Sequence, residues 1–483
     1  MSDIKSLDQL VSLTKARGYI FQSSEIYGGL SAVYDYGPLG VELKNNIRAN
    51  WWRFMTQKHD NIVGIDAAIF MHPKVWEASG HVGGFNDPMI DDKQSKMRYR
   101  ADMLIEQYIM KLEEKGKDED AARIQNALDS AGSRVGLCED LQAIIHEEQI
   151  KSPDSGAFDW TEVRQFNLMF STQYGAVASE DSKIYLRPET AQGIFVNFKN
   201  VLDTSRMKVP FGIAQVGKAF RNEVVARQFV FRMREFEQME MQYFVEPGTD
   251  ADAYESWLAK RQAWHKSIGI REEKLRVAPH PADKLAHYAA AAADIQYKYP
   301  IGWQEVEGIH NRTNFDLTQH QEFSGKKLEY FDPAANKRYI PYVIETSIGL
   351  DRCVLMALCD AYSEEEVSEG DVRTVLKLHP DLAPIKAGIF PLVKKPELLA
   401  MATKIKDELA EDFKVQFDEK GSIGKRYRRQ DEAGTPFCIT IDFDGLEDNT
   451  VTIRHRDSMV QERIPADKVS GVMRAAMKNW KRG

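Results

Sequence analysis

Two stretches concentrate side chains suited to charged, flat ligands: Phe211-Gly-Ile-Ala-Gln-Val-Gly-Lys-Ala-Phe-Arg221-Asn222-Glu223 and Val230-Phe231-Arg232-Met233-Arg234-Glu235-Phe236-Glu237-Gln238-Met239-Glu240. Guanidiniums fork onto phosphate oxygens, an aromatic ring stacks on a purine, and a carboxylate accepts from an amino group or an ammonium. If both stretches are strands, alternation sorts them by face. Arg232, Arg234, Phe236, Gln238 and Glu240 fall on one side of the second, and Phe231, Met233, Met239 and Met241 on the other. On the first, Gln215, Arg221 and Glu223 share a face, so a hairpin of the two presents arginines, one flat ring and carboxylates together.

A second constellation runs Tyr342-Val-Ile-Glu345-Thr346-Ser347-Ile348-Gly349-Leu350-Asp351-Arg352 and on to Leu358. It reads as an apolar strand, a glycine turn and an apolar helix. Glu345 and Ser347 alternate onto one face, and Arg352 falls in the first helical turn, where backbone N–H groups and the helix dipole favour an anion. A third, Lys420-Gly-Ser-Ile-Gly-Lys425-Arg426-Tyr427-Arg428-Arg429, gathers cations around two glycines and a tyrosine. That mixture suits a phosphate backbone with splayed bases, or else a solvated charged turn. The 4 cysteines are scattered with no C-x-x-C pair, which argues for buried free thiols and against a zinc knuckle or disulfide framework. Scattered histidines such as His81 and His310 read as structural.

The elements that must position these residues follow from periodicity and punctuation. Tyr36-Gly-Pro-Leu-Gly40 is a turn leading into an amphipathic helix over Val41 to His59, with Ile47, Trp51, Phe54 and Met55 at helical spacing. Ile62 to Ile65 and Ala68 to Met71 read as strand, stopped by His72-Pro73. Residues 93–155 are charged and helix-rich, an insertion without strand signals. Strand-like runs resume near Phe166 and continue to Phe244. A helical, alanine-bearing region is expected from about Asp250 to Tyr299, the Ala289 to Ala293 run included. A block from Gly302 to about Leu378 ends at His379-Pro-Asp-Leu-Ala-Pro384, a linker. Beyond it, strand, helix and two further strands give a βαβ-like unit.

At 483 residues the chain calls for two to four domains, and 43% apolar with 28% charged residues places it among ordinary globular proteins. The net charge of -9 excludes a uniformly basic nucleic-acid coat but not a local patch. No apolar run approaches the roughly 20 residues that cross a bilayer, and the opening residues mix acids with bases, so a cytoplasmic protein without a membrane partner is expected.

The first two constellations resemble motifs 2 and 3 of the class II aminoacyl-tRNA synthetases, and Trp51 to Pro73 resembles the weaker motif 1. Within that class the chain resembles the single-chain glycyl-tRNA synthetases. Arg98-Tyr-Arg100-Ala-Asp102, Leu186-Arg-Pro-Glu189-Thr-Ala-Gln-Gly193, Glu305-Val306-Glu-Gly-Ile-His-Asn-Arg312 and Glu345-Thr-Ser-Ile-Gly349 match that family's signatures in order. The resemblance implies an α+β fold: a class II antiparallel sheet flanked by helices over residues 1–92 and 156–380, with motif 1 about 41–73, motif 2 about 211–244 and motif 3 about 342–358. It also implies a helix-rich insertion over 93–155, an anticodon-binding domain over 386–483, and a homodimer.

Carried over by position, the family implies that Arg221 holds the α-phosphate of ATP, Glu223 the adenine amino group and Phe236 the adenine face, with Arg232 and Arg352 on the outer phosphates. Arg221 and Arg352 are the expected catalytic groups. Asn222, Phe231, Met233, Arg234, Glu235, Val306, Gly349, Leu350 and Asp351 complete the expected ATP stretches, and Glu305 and Glu345 are the expected Mg²⁺ ligands. Arg100, Glu189, Gln238, Glu240, Arg312, Glu345 and Ser347 surround glycine, with Phe236, Glu237, Met239, Thr346, Ile348 and Gly349 in the same stretches. Phe236 and Glu240, roughly 13 Å apart on a strand, suit opposite ends of a folded aminoacyl adenylate. Lys425, Arg426, Arg428 and Arg429 fall to tRNA(Gly). The implied reaction is attack of the glycine carboxylate on ATP, then transfer to a terminal ribose hydroxyl of tRNA, with no side-chain nucleophile. A sister enzyme for threonine would need a zinc site that the cysteines do not supply, and a non-catalytic relic should have lost the phosphate-binding arginines.

Overall fold

The computed structural model describes residues 4–131, 136–175, 182–224, 228–281, 285–286 and 288–481. Residues 132–135 of the expected insertion, 225–227 of the motif 2 loop, and the last two of the C-terminal unit lie outside the described residues. The chain forms two compact units: Met1–Ala68, Glu189–Ala219 and Gln228–Gly483 make the first, Ile69–Pro188 and Phe220–Arg227 the second.

The first unit is organised on a seven-stranded sheet. Its strands are β1 (Ile62–Gly64), β2 (Phe211–Phe220), β3 (Glu235–Val245), β4 (Leu275–Pro279), β5 (Ala291–Tyr299), β6 (Gly302–Thr313) and β7 (Tyr342–Gly349), in spatial order β4-β5-β6-β7-β3-β2-β1. β4 through β7, and β7 with β3, pair antiparallel; only the short β1 is seen to pair parallel, with β2. Helix α1 (Pro38–Thr56) opens with proline in its first turn and buries Leu43, Ile47, Trp51 and Met55, one per turn, against the core. It enters close to the preceding strand: a Cβ on Gly40 would lie 1.8 Å from the Tyr19 carbonyl oxygen, so only glycine fits there. Also packed in this unit are α2 (Ala191–Val196), α3 (Asp250–Ser267), α4 (Phe315–Ser324) and α5 (Leu350–Ala361), the last with all but one residue buried.

After the hairpin β8 (Tyr362–Ser368) and β9 (Asp371–Leu376), the chain builds a second sheet from β10 (Ala387–Pro391), β11 (Val415–Phe417), β12 (Phe437–Ile441), β13 (Thr450–His455) and β14 (Gln461–Pro465). β10 pairs parallel with both β11 and β12, with α6 (Pro396–Ala410) as the crossover to β11, as a βαβ pattern requires. α7 (Ile423–Glu432) and α8 (Val469–Lys478) complete it. Buried guanidiniums lock this sheet to what precedes it. Arg373 of β9 reaches Glu365 at 2.8 Å and Asp431 at 3.4 Å, and Arg454 grips Asp431 with two bonds of 2.9 and 3.1 Å. Arg456 donates to the carbonyls of Leu378 and Gly434 at 2.8 and 2.7 Å, and the Tyr19 hydroxyl donates to that of Ala433 at 2.9 Å.

In the second unit, strands Asn86–Asp91, Arg98–Arg100 and Arg164–Asn167 form a sheet. Helices Ala101–Glu113, Asp118–Ala131 and Leu137–Glu147 bury Leu104, Ile105, Ile109, Ile124, Leu141 and Ile145 around a core of their own. All four cysteines are free, three of them buried.

The structure corrects several element expectations. The Ala289 to Ala293 run is not helix; from Ala291 it is strand β5, and the region is helical only to Ser267. Alanine's helix propensity is a weak preference, overridden here by pairing on both edges with β4 and β6. Ala68 to Met71 makes only one isolated bridge, at Phe70, because the chain leaves the first unit at Ala68 and finds no continuous partner. His72 caps a helix, Pro73–Ala78, rather than ending a strand. Residues 229–231 form a 3₁₀ turn, so alternation applies only from Glu235, although Phe231 and Met233 are still core. Likewise β2 stops at Phe220, and Arg221 to Glu223 lie beyond it.

Candidate functional site

Strand register lays the site residues of the first unit in two rows across one sheet face. Asp294, Gly308, Ser347 and Glu240 stand side by side on β5, β6, β7 and β3; in the next row stand Ala292, His310, Glu345 and Gln242. Their side chains interlock. Gln242 Nε2 donates to Glu345 Oε2 at 2.7 Å and to Glu240 Oε1 at 3.0 Å, and the Thr190 hydroxyl donates to Glu240. Arg312 Nη1 donates to Glu345 Oε2 at 3.1 Å, while its Nε and Nη2 fork onto Asp316 at 2.8 and 2.9 Å. Its guanidinium lies 4.3 Å from the centre of the Tyr288 ring. Gln192 Nε2 links Glu189 at 2.9 Å to Asp316 at 3.1 Å, and His310 Nδ1 lies 2.9 Å from Glu345 Oε1.

Four carboxyl groups thus face one guanidinium and one imidazole, nearly all out of water, and the protonation pattern reflects it. Burial resists ionisation of Glu345, but Arg312 and His310 overcome it and hold the carboxyl well below the usual range. Glu240 goes the other way: burial and the charges of Glu345 and Glu189 raise it well above the ordinary value. Burial lowers the His310 imidazole, yet the bond and charge of Glu345 leave it raised. Such a pocket favours one additional cation with N–H donors, such as an ammonium.

At the β7–α5 turn, Arg352 extends over the Phe231 ring at 4.4 Å and pairs with Glu305 at 3.2 Å. Its neighbour Asp351 points into the core, where it accepts from the Tyr36 hydroxyl at 2.5 Å, Lys44 Nζ at 2.8 Å and the Glu237 backbone N–H at 2.7 Å. Gln238 and Ser347, 3.4 Å apart, lie on the pocket side. Phe236 is half-buried, Glu235 pairs with Lys218 of β2, and Arg234 donates to the Ser31 carbonyl. Arg232 is half-exposed in the turn before β3, and Gly349 caps α5.

Several expected ligand-binding side chains face away from the pocket. Glu237 pairs with Lys44 and Arg48 of α1; Met233, Met239, Ile348 and Leu350 are core, as is Val306; and Thr346 is buried on the same side as Met239. For Glu237, Met239, Thr346 and Ile348 the reason is period two: each adjoins a pocket-facing residue on its strand and so points the opposite way. Arg100, Arg221, Asn222 and Glu223 belong to the second unit. There Arg100 pairs with Asp87 and Asp102, and Arg221 Nε donates to the Pro188 carbonyl at 3.1 Å. In α7, Lys425 is exposed, whereas Arg426 is buried and donates to the carbonyls of Pro391, Leu392 and Asp418. Arg428 pairs with Asp371 and Arg429 with Asp418. The basic stretch is a helix, not a turn, which is why one of its cations points inward.

Sequence reasoning passed over Thr190, Gln192, Gln242 and Asp316 and read His310 as structural. Gln242 and His310 share strand parity with Glu240 and Arg312, a signal that was there to read. Asp316 had none, because four residues from Arg312 it sits across a strand-to-helix junction.

Comparison with known proteins fixes the class. The tRNA synthetase class II core domain (G, H, P, S and T) matches residues 171–361 and the anticodon binding domain residues 386–476. A prolyl-tRNA synthetase from Cryptosporidium parvum complexed with L-proline and AMP superposes with a TM-score of 0.62, at 12% identity, over 99% of this chain and 79% of that one. The fold is that of the class II aminoacyl-tRNA synthetases, and it is α+β. Glycyl-tRNA synthetase insertion domain 1 matches residues 87–135 and 122–168. A glycine–tRNA ligase of Chlorobaculum tepidum is 58% identical, covering 96% of this chain and 98% of that protein, and one of Treponema denticola is 52% identical over 100% of both. The chain belongs to the glycine–tRNA ligase family, ATP-dependent enzymes that join glycine to tRNA. Among the described residues no helix is long and apolar enough to cross a membrane.

Proposed function

We propose that the buried carboxylate pocket is where this chain binds the glycine ammonium, with Glu189, Glu240 and Glu345 as its acceptors. Arg312 holds Glu345 and Asp316 in place, and Gln238 and Ser347 line the same face. Arg100 completes the glycine contacts. For ATP, Arg221 takes the α-phosphate, Arg232 and Arg352 the outer phosphates, Phe236 the adenine face and Glu223 its amino group, with Asn222 and Glu305 beside them. The glycine carboxylate then attacks the α-phosphate in line, pyrophosphate leaves, and a terminal ribose hydroxyl of tRNA(Gly) attacks the resulting mixed anhydride. Positioning and fixed charge do this work, so no side-chain nucleophile is required.

Of the two residues expected to hold Mg²⁺, only Glu305 fits. Glu345 lies buried in the amino-acid pocket, whereas the Glu305 side chain is 47% exposed beside Arg352. Bound with ATP, the ion would neutralise phosphate charge. The exposed cations of α7 are assigned to tRNA, the α1 region to a homodimer interface, and the reaction to the cytoplasm. The observation that carries this reading is the convergence of Glu240 and Glu345 on Gln242. It is tested by amino-acid-dependent pyrophosphate exchange: glycine alone of the twenty should support turnover, Glu240→Gln should raise the glycine KM, and Arg221→Ala should depress exchange by about 10²–10³. Exchange by Arg221→Ala within tenfold of the parent chain overturns that assignment.

A further inference from the structure

We propose that His310 is the wall that restricts the amino-acid pocket to a substrate without a β-carbon. The proposal rests on the ammonium reading above and deepens it. On the side of Ser347 away from Glu240, the row continues with Gly308 on β6, and beside His310 the next strand offers only Ala292. Two such small residues leave a hollow on the sheet face, in the direction an α-carbon substituent could take. The imidazole fills it. A Cβ built on Gly308 would come 2.6 Å from His310 Cε1, so the ring lies back along its own strand over the glycine, and only glycine lets it lie there. Nor is it free to swing out. Nδ1 is tied to Glu345, its directly opposed cross-strand partner, at 2.9 Å, and the His280 ring, itself held by Asp294 at 3.1 Å, meets it edge-on at 6.3 Å between centroids. Ser347 offers less bulk. A rigid ring excludes a larger substrate by clash, which discriminates more strongly than a contact merely lost to a smaller one.

The test compares glycine and alanine in pyrophosphate exchange for the parent chain, His310→Ala and His310→Asn. Asparagine keeps a donor near the Nδ1 position but removes the far half of the ring. For a wall, both variants raise the alanine-to-glycine ratio of kcat/KM, by roughly tenfold or more, the scale of one methylene's worth of steric discrimination. If the ratio stays within twofold of the parent in the asparagine variant, His310 only positions Glu345 and the proposal fails. Should His310→Ala not fold, the asparagine variant alone decides. Failure of the underlying reading shows separately, as an unchanged glycine KM in Glu240→Gln.

Discussion

Glu305 and Glu307 stand two positions apart on one strand and yet face opposite sides of the sheet. Across from them, Gln296 and Ile295 are consecutive, so Val306 is the extra residue of a β-bulge, and it reverses the facing of everything before it. Glu307 is fully buried, bonded to Arg261 Nε at 2.5 Å and His265 Nε2 at 2.8 Å. Glu305 emerges beside Arg352.

Opposite costs follow for the two carboxylates. Glu307→Gln leaves a buried guanidinium without its counter-charge and should lower unfolding free energy by about 3–5 kcal/mol, read from the urea midpoint. Glu305→Gln should leave that midpoint almost unchanged and instead raise the KM for ATP. The triad also dictates acid behaviour. Burial opposes the Glu307 charge but Arg261 and His265 outweigh it, so its carboxyl titrates below the ordinary 4.5; burial drops the His265 imidazole below 6.5. In both cases the unfolded chain takes up protons first. Stability should therefore decline as pH falls through 6.5 and again below 4.5, and Glu307→Gln should shrink the second step.

Arg352 is held by Phe231 and Glu305 rather than by a deep pocket, so its removal should cost chemistry more than folding. Arg352→Ala is expected to lower glycine-dependent exchange by about 10²–10³ while thermal unfolding shifts little. A variant that unfolds early instead would assign Arg352 to the scaffold.

Glycine binding should release a proton. Burial and its carboxylate neighbours push the Glu240 carboxyl well above its ordinary value, and an arriving ammonium opposes that shift. Calorimetric titration with glycine in two buffers of different ionisation heat should give apparent enthalpies that differ by up to one proton's worth, and affinity should tighten as pH rises. Buffer-independent enthalpies would show that Glu240 is already charged.

Helix α7 separates into two kinds of cation. Lys425→Ala with Arg428→Ala should weaken tRNA binding and flatten its salt dependence by about 0.7 per lost phosphate contact, with exchange untouched. Arg426→Ala should instead destabilise the C-terminal sheet by roughly 1–3 kcal/mol, since it strands the buried carbonyl of Pro391. An unchanged salt slope in the double variant would make the patch a solvated surface.

Much of this was legible in advance, for particular reasons. Tyr342 to Leu358 reads correctly as strand, turn and helix because an apolar run broken by Gly349 admits little else. Glu240 and Glu345 were picked out because strand alternation put them on one polar face, and Arg312 because its stretch resembles a family signature. What stayed hidden depends on register. No local pattern says that β6 pairs with β7 so as to set His310 opposite Glu345, or that Val306 turns Glu305 toward Arg352. Alternation extrapolated past Glu235 and Phe220 failed where the chain stops being strand, and the alanines of β5 followed their neighbours, not their propensity.

The guanidinium cluster at Asp431 has a mechanical meaning. Arg373 and Arg454 bond the same carboxylate, and Arg456 clasps the chain between the two sheets, so a hinge at that junction would have to break buried bonds. The catalytic sheet and the C-terminal sheet are therefore tied like the jaws of a caliper, at a spacing that costs buried ion pairs to change. An RNA that meets both at once meets a spacing that those buried bonds hold.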